Sequence, residues 1–130
     1  MVSPLPESLV RFIRSCVPTY QAAEVLLFLA ANPEREWTPE ELVVAMRPVV
    51  VTVPAMKEYL SLFVARRVIR VTELRVMRIV YEPSTSELED GVAALTHAYN
   101  ERPVTLIATI YRIAEMTIQA FADSFKLKSD

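Results

Sequence analysis

Apolar residues recur every three to four positions over most of this chain and every second position over one short stretch, which predicts a mainly helical protein with one small β-hairpin. Leu9, Phe12, Ile13 and Cys16, with Arg11 and Arg14 between them, predict a short amphipathic helix over residues 5–17, ended by Pro18. From Tyr20 to Ala31 the residues are apolar nearly all round, as in a helix buried in the middle of a domain, and Asn32-Pro33 closes it. The next helix has the sharpest start. Thr38 can cap it, Pro39 takes the first helical position, where a missing N–H does no harm, and Glu41 completes a capping box. Leu42, Ala45 and Met46 supply its buried face and Pro48 stops it. Thr52 is a second capping residue, with Pro54 close behind and Met56, Tyr59, Leu60 and Phe63 as the apolar stripe of a further helix.

After Arg66-Arg67 the period falls to two. Residues 68–73 and 76–81 are rich in β-branched and aromatic side chains and read as two strands of a hairpin joined through Leu74-Arg75. The connection lacks the Asn-Gly or Gly-X pair of a two-residue turn, so a longer turn is expected. Met77, Ile79 and Tyr81 form the apolar face of the second strand and Arg78 points the other way. Ser84 with Glu87, or Ser86 with Glu89, offers a capping box for a helix that runs through Leu88, Val92, Leu95 and Tyr99 to about Asn100, with Gly91 marking close packing. Pro103 opens the last helix, on which Ile107, Ile110, Ala114, Ile118, Phe121 and Phe125 keep one stripe. That stripe is long for a small domain to cover unaided, so these residues are expected to dimerise.

Composition narrows the function classes. A chain of 130 residues can bury one real core, and 52% hydrophobic residues with a single Gly favour helix and a shared interface between two copies. The lone Cys16 forbids an internal disulfide and reads as a buried small hydrophobe in a reducing compartment. Pro4, Pro6 and Glu7 do not follow the basic-then-apolar order of a signal peptide, and no uncharged apolar run reaches the ~20 residues of a membrane span, so a cytoplasmic location is expected. One glycine excludes the P-loop and the dinucleotide fingerprint. His97 has no Cys nearby, and Glu40, Glu41, Glu87, Glu89 and Asp90 suit helix starts better than a catalytic pair. No enzyme activity, metal or cofactor is expected.

The order helix, helix, short strand at Trp37, helix, helix, hairpin, helix, helix resembles the winged helix-turn-helix fold. With helices at both ends it looks like the multiple-antibiotic-resistance regulator (MarR) type of bacterial transcription regulator. The likeness is carried by Trp37-Thr38-Pro39-Glu40-Glu41-Leu42, by residues 52–63 and by Ala65-Arg66-Arg67-Val68-Ile69-Arg70. It covers nearly the whole chain as a single domain, with residues 20–83 as the winged core and 1–19 and 84–130 as flanking helices. The resemblance implies a dimer on double-stranded DNA, with Thr52, Lys57 and Ser61 at the major groove and Arg70, Arg75 and Arg78 of the wing on backbone phosphates. It also implies a pocket for a small aromatic effector, for which Trp37, Tyr59, Tyr81, Tyr99 and Tyr111 are the available lining. Charge bears on this in two ways. The net charge of −2 and a pI near 5.5 argue against a strong nonspecific polyanion binder. Residues 56–80, however, hold six basic side chains against two acidic, while the remainder holds eight against fourteen. The alternative is a winged-helix module that binds protein rather than DNA, suggested by the acidic balance and by a hairpin without the Asp-x-Arg of that family's wing.

Overall fold

In a computed structural model, which describes the backbone of residues 4–128 and side chains through Ser124, the chain is mainly helical with a small antiparallel sheet. Helix α1 (Glu7–Cys16) buries Leu9, Phe12, Ile13 and Cys16, the stripe its spacing predicts. Helix α2 (Tyr20–Ala31) starts where Thr19 accepts a hydrogen bond from the Ala22 N–H at 3.0 Å, and no side chain from Tyr20 to Ala30 is exposed. It lies against both the sheet and a later helix, which is why it tolerates apolar residues on every side.

A two-residue strand β1 (Glu36–Trp37) leads into α3 (Pro39–Ala45). The Thr38 hydroxyl accepts from the Glu41 N–H at 3.2 Å and a Glu41 carboxylate oxygen accepts from the Thr38 N–H at 2.8 Å, completing the expected box. That backbone bond, helped by the nearby Arg78 and Arg35, holds the Glu41 carboxyl below its usual range. Pro39, Leu42 and Met46 are buried, but Ala45 is exposed, because a helix this short turns only one narrow face inward. Helix α4 (Val53–Ala65) is capped by Thr52, which accepts from the Ala55 N–H at 3.2 Å, and it buries Met56, Leu60 and Phe63. Its end is a Schellman turn: Val68 N–H reaches the Phe63 carbonyl and Arg67 N–H the Val64 carbonyl, both at 3.0 Å. Arg67 there takes a left-handed φ of 63°, a conformation more commonly given to glycine.

Strands β2 (Ile69–Glu73) and β3 (Arg78–Tyr81) complete a sheet of order β1-β3-β2. Ile69 pairs with Tyr81, Val71 with Ile79 and Glu73 with Arg78, while Trp37 pairs with Ile79 from the other edge. The second strand begins two residues later than the alternation predicts. Met77 stands at a left-handed φ of 53° inside a turn and so leaves the strand face, and the connection is longer than two residues, as expected. Helix α5 (Ser86–Glu101) is capped by neither predicted serine. Thr85 accepts from the Leu88 N–H at 3.2 Å, because the Ser84 N–H is bound to the Arg67 carbonyl and holds that residue in the connection. Val92, Leu95 and Ala98 of α5 face the core, and α6 (Pro103–Lys128) adds Leu106, Ile110 and Ile113. The buried Thr109 hydroxyl donates to the Thr105 carbonyl at 2.7 Å, so it enters the core with its hydrogen bond made.

Trp37 is enclosed edge-on by Phe28 at 5.4 Å and by the Arg35 guanidinium 3.9 Å from its ring centre; its indole N–H is buried with no acceptor among the described residues. Two tyrosines carry a pH signature. Tyr20, half-buried and stacked on Tyr99 at 5.7 Å, and Tyr81, half-buried with Glu89 nearby, both have phenols pushed up to about 12, chiefly by partial loss of hydration. The folded state therefore binds protons that the unfolded chain releases near pH 10, so stability should fall as pH rises from about 10 to about 12. Absorbance titration should show one late-ionising phenol fewer in Tyr81→Phe than in wild type; a late phase unchanged by that substitution would refute the shielding of Tyr81.

Candidate nucleic-acid interface

The outward side of α4 carries Pro54, Lys57, Glu58 and Ser61, preceded by Thr52, all exposed. The inner side is spent on Met56, Leu60 and Phe63, so periodicity alone decides which residues remain for a ligand. A hydrogen-bonded chain fixes how α4 sits. The Thr19 hydroxyl donates to the Tyr59 hydroxyl at 3.2 Å, Tyr59 donates to Gln21 Oε1 at 3.1 Å, and Gln21 Nε2 donates to the Val50 carbonyl at 2.9 Å. These bonds tie the start of α2 to α4 and to the segment before it.

All three predicted phosphate contacts lie on the hairpin, in different circumstances. Arg75 stands in the turn, exposed beside Leu74, which is 85% exposed, and it joins no ion pair among the described residues. Arg70 Nε donates to the Glu82 carboxylate at 2.6 Å. Arg78 lies 3.5 Å from Glu73 and 3.7 Å from Glu41, which also faces Arg35 at 3.9 Å. The six-to-two excess of residues 56–80 thus becomes six against four once Glu41 and Glu82 are counted beside their arginines. Arg66 is fastened too, its Nε donating to the Ser15 carbonyl at the end of α1, 3.0 Å away.

Glu82 was within reach of sequence reasoning: it shares the period-two face of Arg78 and Val80, and Val80 pairs with Arg70. Glu41 was not, since nothing local links a helix-capping acid to a strand more than thirty residues on.

Of the five aromatics considered for an effector pocket, Tyr99 lines a groove of about 380 Å³ with Phe28, Met46 and Arg47. Trp37 is buried, Tyr59 is bonded to Gln21, Tyr81 lies half-buried on the sheet and Tyr111 is exposed on α6. The predicted dimerisation stripe also divides. Ile110 is 2% exposed and belongs to the molecule's own core, because α6 docks through Leu106, Ile110 and Ile113; Ile107 and Ala114 are half-buried. Ile118 and Phe121 are exposed, and the Phe125 side chain lies outside those described.

Among the described residues no group of three His, Cys, Asp or Glu could hold a metal ion, and no helix is long and apolar enough to cross a membrane. No protein-family model matches the chain, and neither a curated protein nor a solved structure does.

Proposed function

We propose that this chain is a DNA-binding transcription regulator of the winged helix-turn-helix type, working as a dimer, with α3 and α4 as the paired helices and β2–β3 as the wing. The observation that carries the reading is the open outer face of α4, where Lys57 and Ser61 stand exposed behind the exposed cap Thr52, on a helix rooted by three buried side chains. A major groove about 12 Å wide admits such a helix. Arg75 at the hairpin tip supplies a cation for a neighbouring phosphate. Thr52 already spends a lone pair on its cap and Glu58 opposes Lys57 in charge, so the expected binding is dominated by backbone contacts and discriminates bases weakly. Arg70 and Arg78 reach phosphate by exchanging their carboxylate partners, and exposed pairs of this kind hold by at most about 1 kcal/mol.

A second reading, a winged-helix module that binds protein, is favoured by those same ion pairs, which leave the outer face of the sheet nearly neutral. Fluorescence anisotropy with random duplex DNA at two salt concentrations separates the two. Under the regulator reading, binding weakens steeply with salt, and Lys57→Ala and Arg75→Ala each lower affinity and reduce the logarithmic salt slope by about 0.9. No binding at low salt assigns the chain to the second reading.

A further inference from the structure

Two apolar side chains stand in solvent where α4 begins. Val50, two residues before the Thr52 cap, is 81% exposed, whereas its neighbour Val51 is 3% exposed and belongs to the core. Exposure alternates out, in, out over residues 50–52, so Val50 and Thr52 emerge on the side away from Val51. The backbone that presents Val50 is held in place. Its carbonyl accepts from Gln21 Nε2 at 2.9 Å, Gln21 Oε1 accepts from the Tyr59 hydroxyl at 3.1 Å, and Val51 is anchored next to it. Pro54 is the second apolar group, exposed in the first turn of α4. At about 100° per residue it lies roughly 150° around the helix from the buried line of Met56, Leu60 and Phe63, and within about 60° of Lys57 and Ser61. The polar groups of this face are few. Its first two turns hold no Arg, Asn or Gln, and Lys57, which can donate to guanine, has Glu58 beside it. Hydrocarbon is therefore much of what this end of α4 can offer to a base edge.

We infer, resting on the regulator reading of α4, that Val50 and Pro54 recognise the C5 methyl groups of thymines in the major groove, so that base discrimination by this face is apolar. Thymine is the one standard base that presents hydrocarbon beyond its ring edge in that groove, and apolar side chains are the groups that meet it. Cytosine offers a hydrogen at the same position. Val50 and Pro54 both begin exposed, so covering either with a methyl group removes apolar surface from water on both partners. One methyl buried in this way is worth about fourfold in affinity. A bidentate hydrogen-bonded contact is worth more, and the small factor accords with a face that discriminates weakly. Attraction to the duplex has a separate source. Lys57 stands exposed on the same face and joins no ion pair among the described residues, so it supplies charge for a phosphate while the two apolar groups supply preference.

The test manipulates the methyl group alone. Random-sequence duplexes are made with thymine, with uracil in place of thymine, and with 5-methylcytosine in place of cytosine, and the full chain is titrated with each at low salt by fluorescence anisotropy. Wild type should bind the thymine duplex about fourfold more tightly than the uracil duplex, and the 5-methylcytosine duplex more tightly than its unmethylated counterpart. Val50→Ser and Pro54→Ala should each bring the thymine-to-uracil ratio towards one. Neither removes a cation, so the logarithmic salt slope should keep its wild-type value, and melting followed by circular dichroism should stay near wild type because both sites are exposed. Leu74→Ser, which removes an equally exposed apolar side chain from the hairpin turn, should leave the ratio unchanged. Salt-dependent binding with a wild-type ratio of one overturns the inference and leaves the regulator reading standing. So does a ratio that both α4 variants leave unaltered, or one that Leu74→Ser lowers as far as they do. No binding to any of the three duplexes overturns both readings.

Discussion

Phe63→Ala should cost about 3–5 kcal/mol of folding stability, a large part of the ~5–15 kcal/mol that holds a domain of this size together. Phe63 has no exposed surface and sits in the last turn of α4. Its own carbonyl accepts the hydrogen bond that closes the Schellman turn into β2, so its packing also sets the path of the hairpin. Truncation removes the transfer energy of a ring and leaves a cavity lined by side chains already committed elsewhere. Urea unfolding followed by circular dichroism should show a lowered midpoint at similar slope, with Phe63→Leu losing much less. A loss below about 1 kcal/mol for the alanine variant would mean that Phe63 does not pack as described.

Gly91→Ala should also destabilise, against the ordinary preference of a helix interior, where alanine is favoured by about 0.5–1 kcal/mol. A Cβ at position 91 would stand 2.3 Å from Phe12 Cδ1 and 2.8 Å from both Cγ and Cε1. Cγ is the root of the ring rather than its flexible far end, so the α1–α5 contact itself must open. Overpacking of that kind costs about 1–3 kcal/mol, which outweighs the helical gain. Adding Phe12→Leu should restore part of the loss, and the double-mutant cycle should return a coupling of about 1 kcal/mol or more. A Gly91→Ala variant more stable than wild type, or strictly additive losses, would show that the contact is not this tight.

Much of the fold was legible because the signals that set it are short-range. Thr38, Pro39 and Glu41 satisfy one another's backbone within a single turn, and Thr52 does the same for α4. Where two local solutions were close in energy the reading slipped by a residue or two. Ser84, Thr85 and Ser86 can each cap α5, and a backbone bond from Ser84 to Arg67 decides for Thr85. Met77 fits a strand by its side chain and is turned out of it by the geometry of a turn.

The candidate site was less legible for a different reason. Residue spacing placed Lys57 and Ser61 on one face of α4, with Thr52 at its cap, and all three are exposed. What surrounds the arginines depended on chain segments far apart: Glu41 comes to Arg78 from the cap of α3, Glu82 to Arg70 across two strands, and Ser15 to Arg66 from the first helix.

The order of amino acids by itself determined the helices, the caps of α3 and α4, the hairpin and the inward sides of α1 and α4, because periodicity and capping act over a few residues. Tertiary structure alone decided which charges are neutralised by partners, and that Ile110 belongs to the core while Ile118 meets solvent. Both outcomes turn on how rigid elements dock, and docking is settled by shape and burial over distances that no local pattern spans.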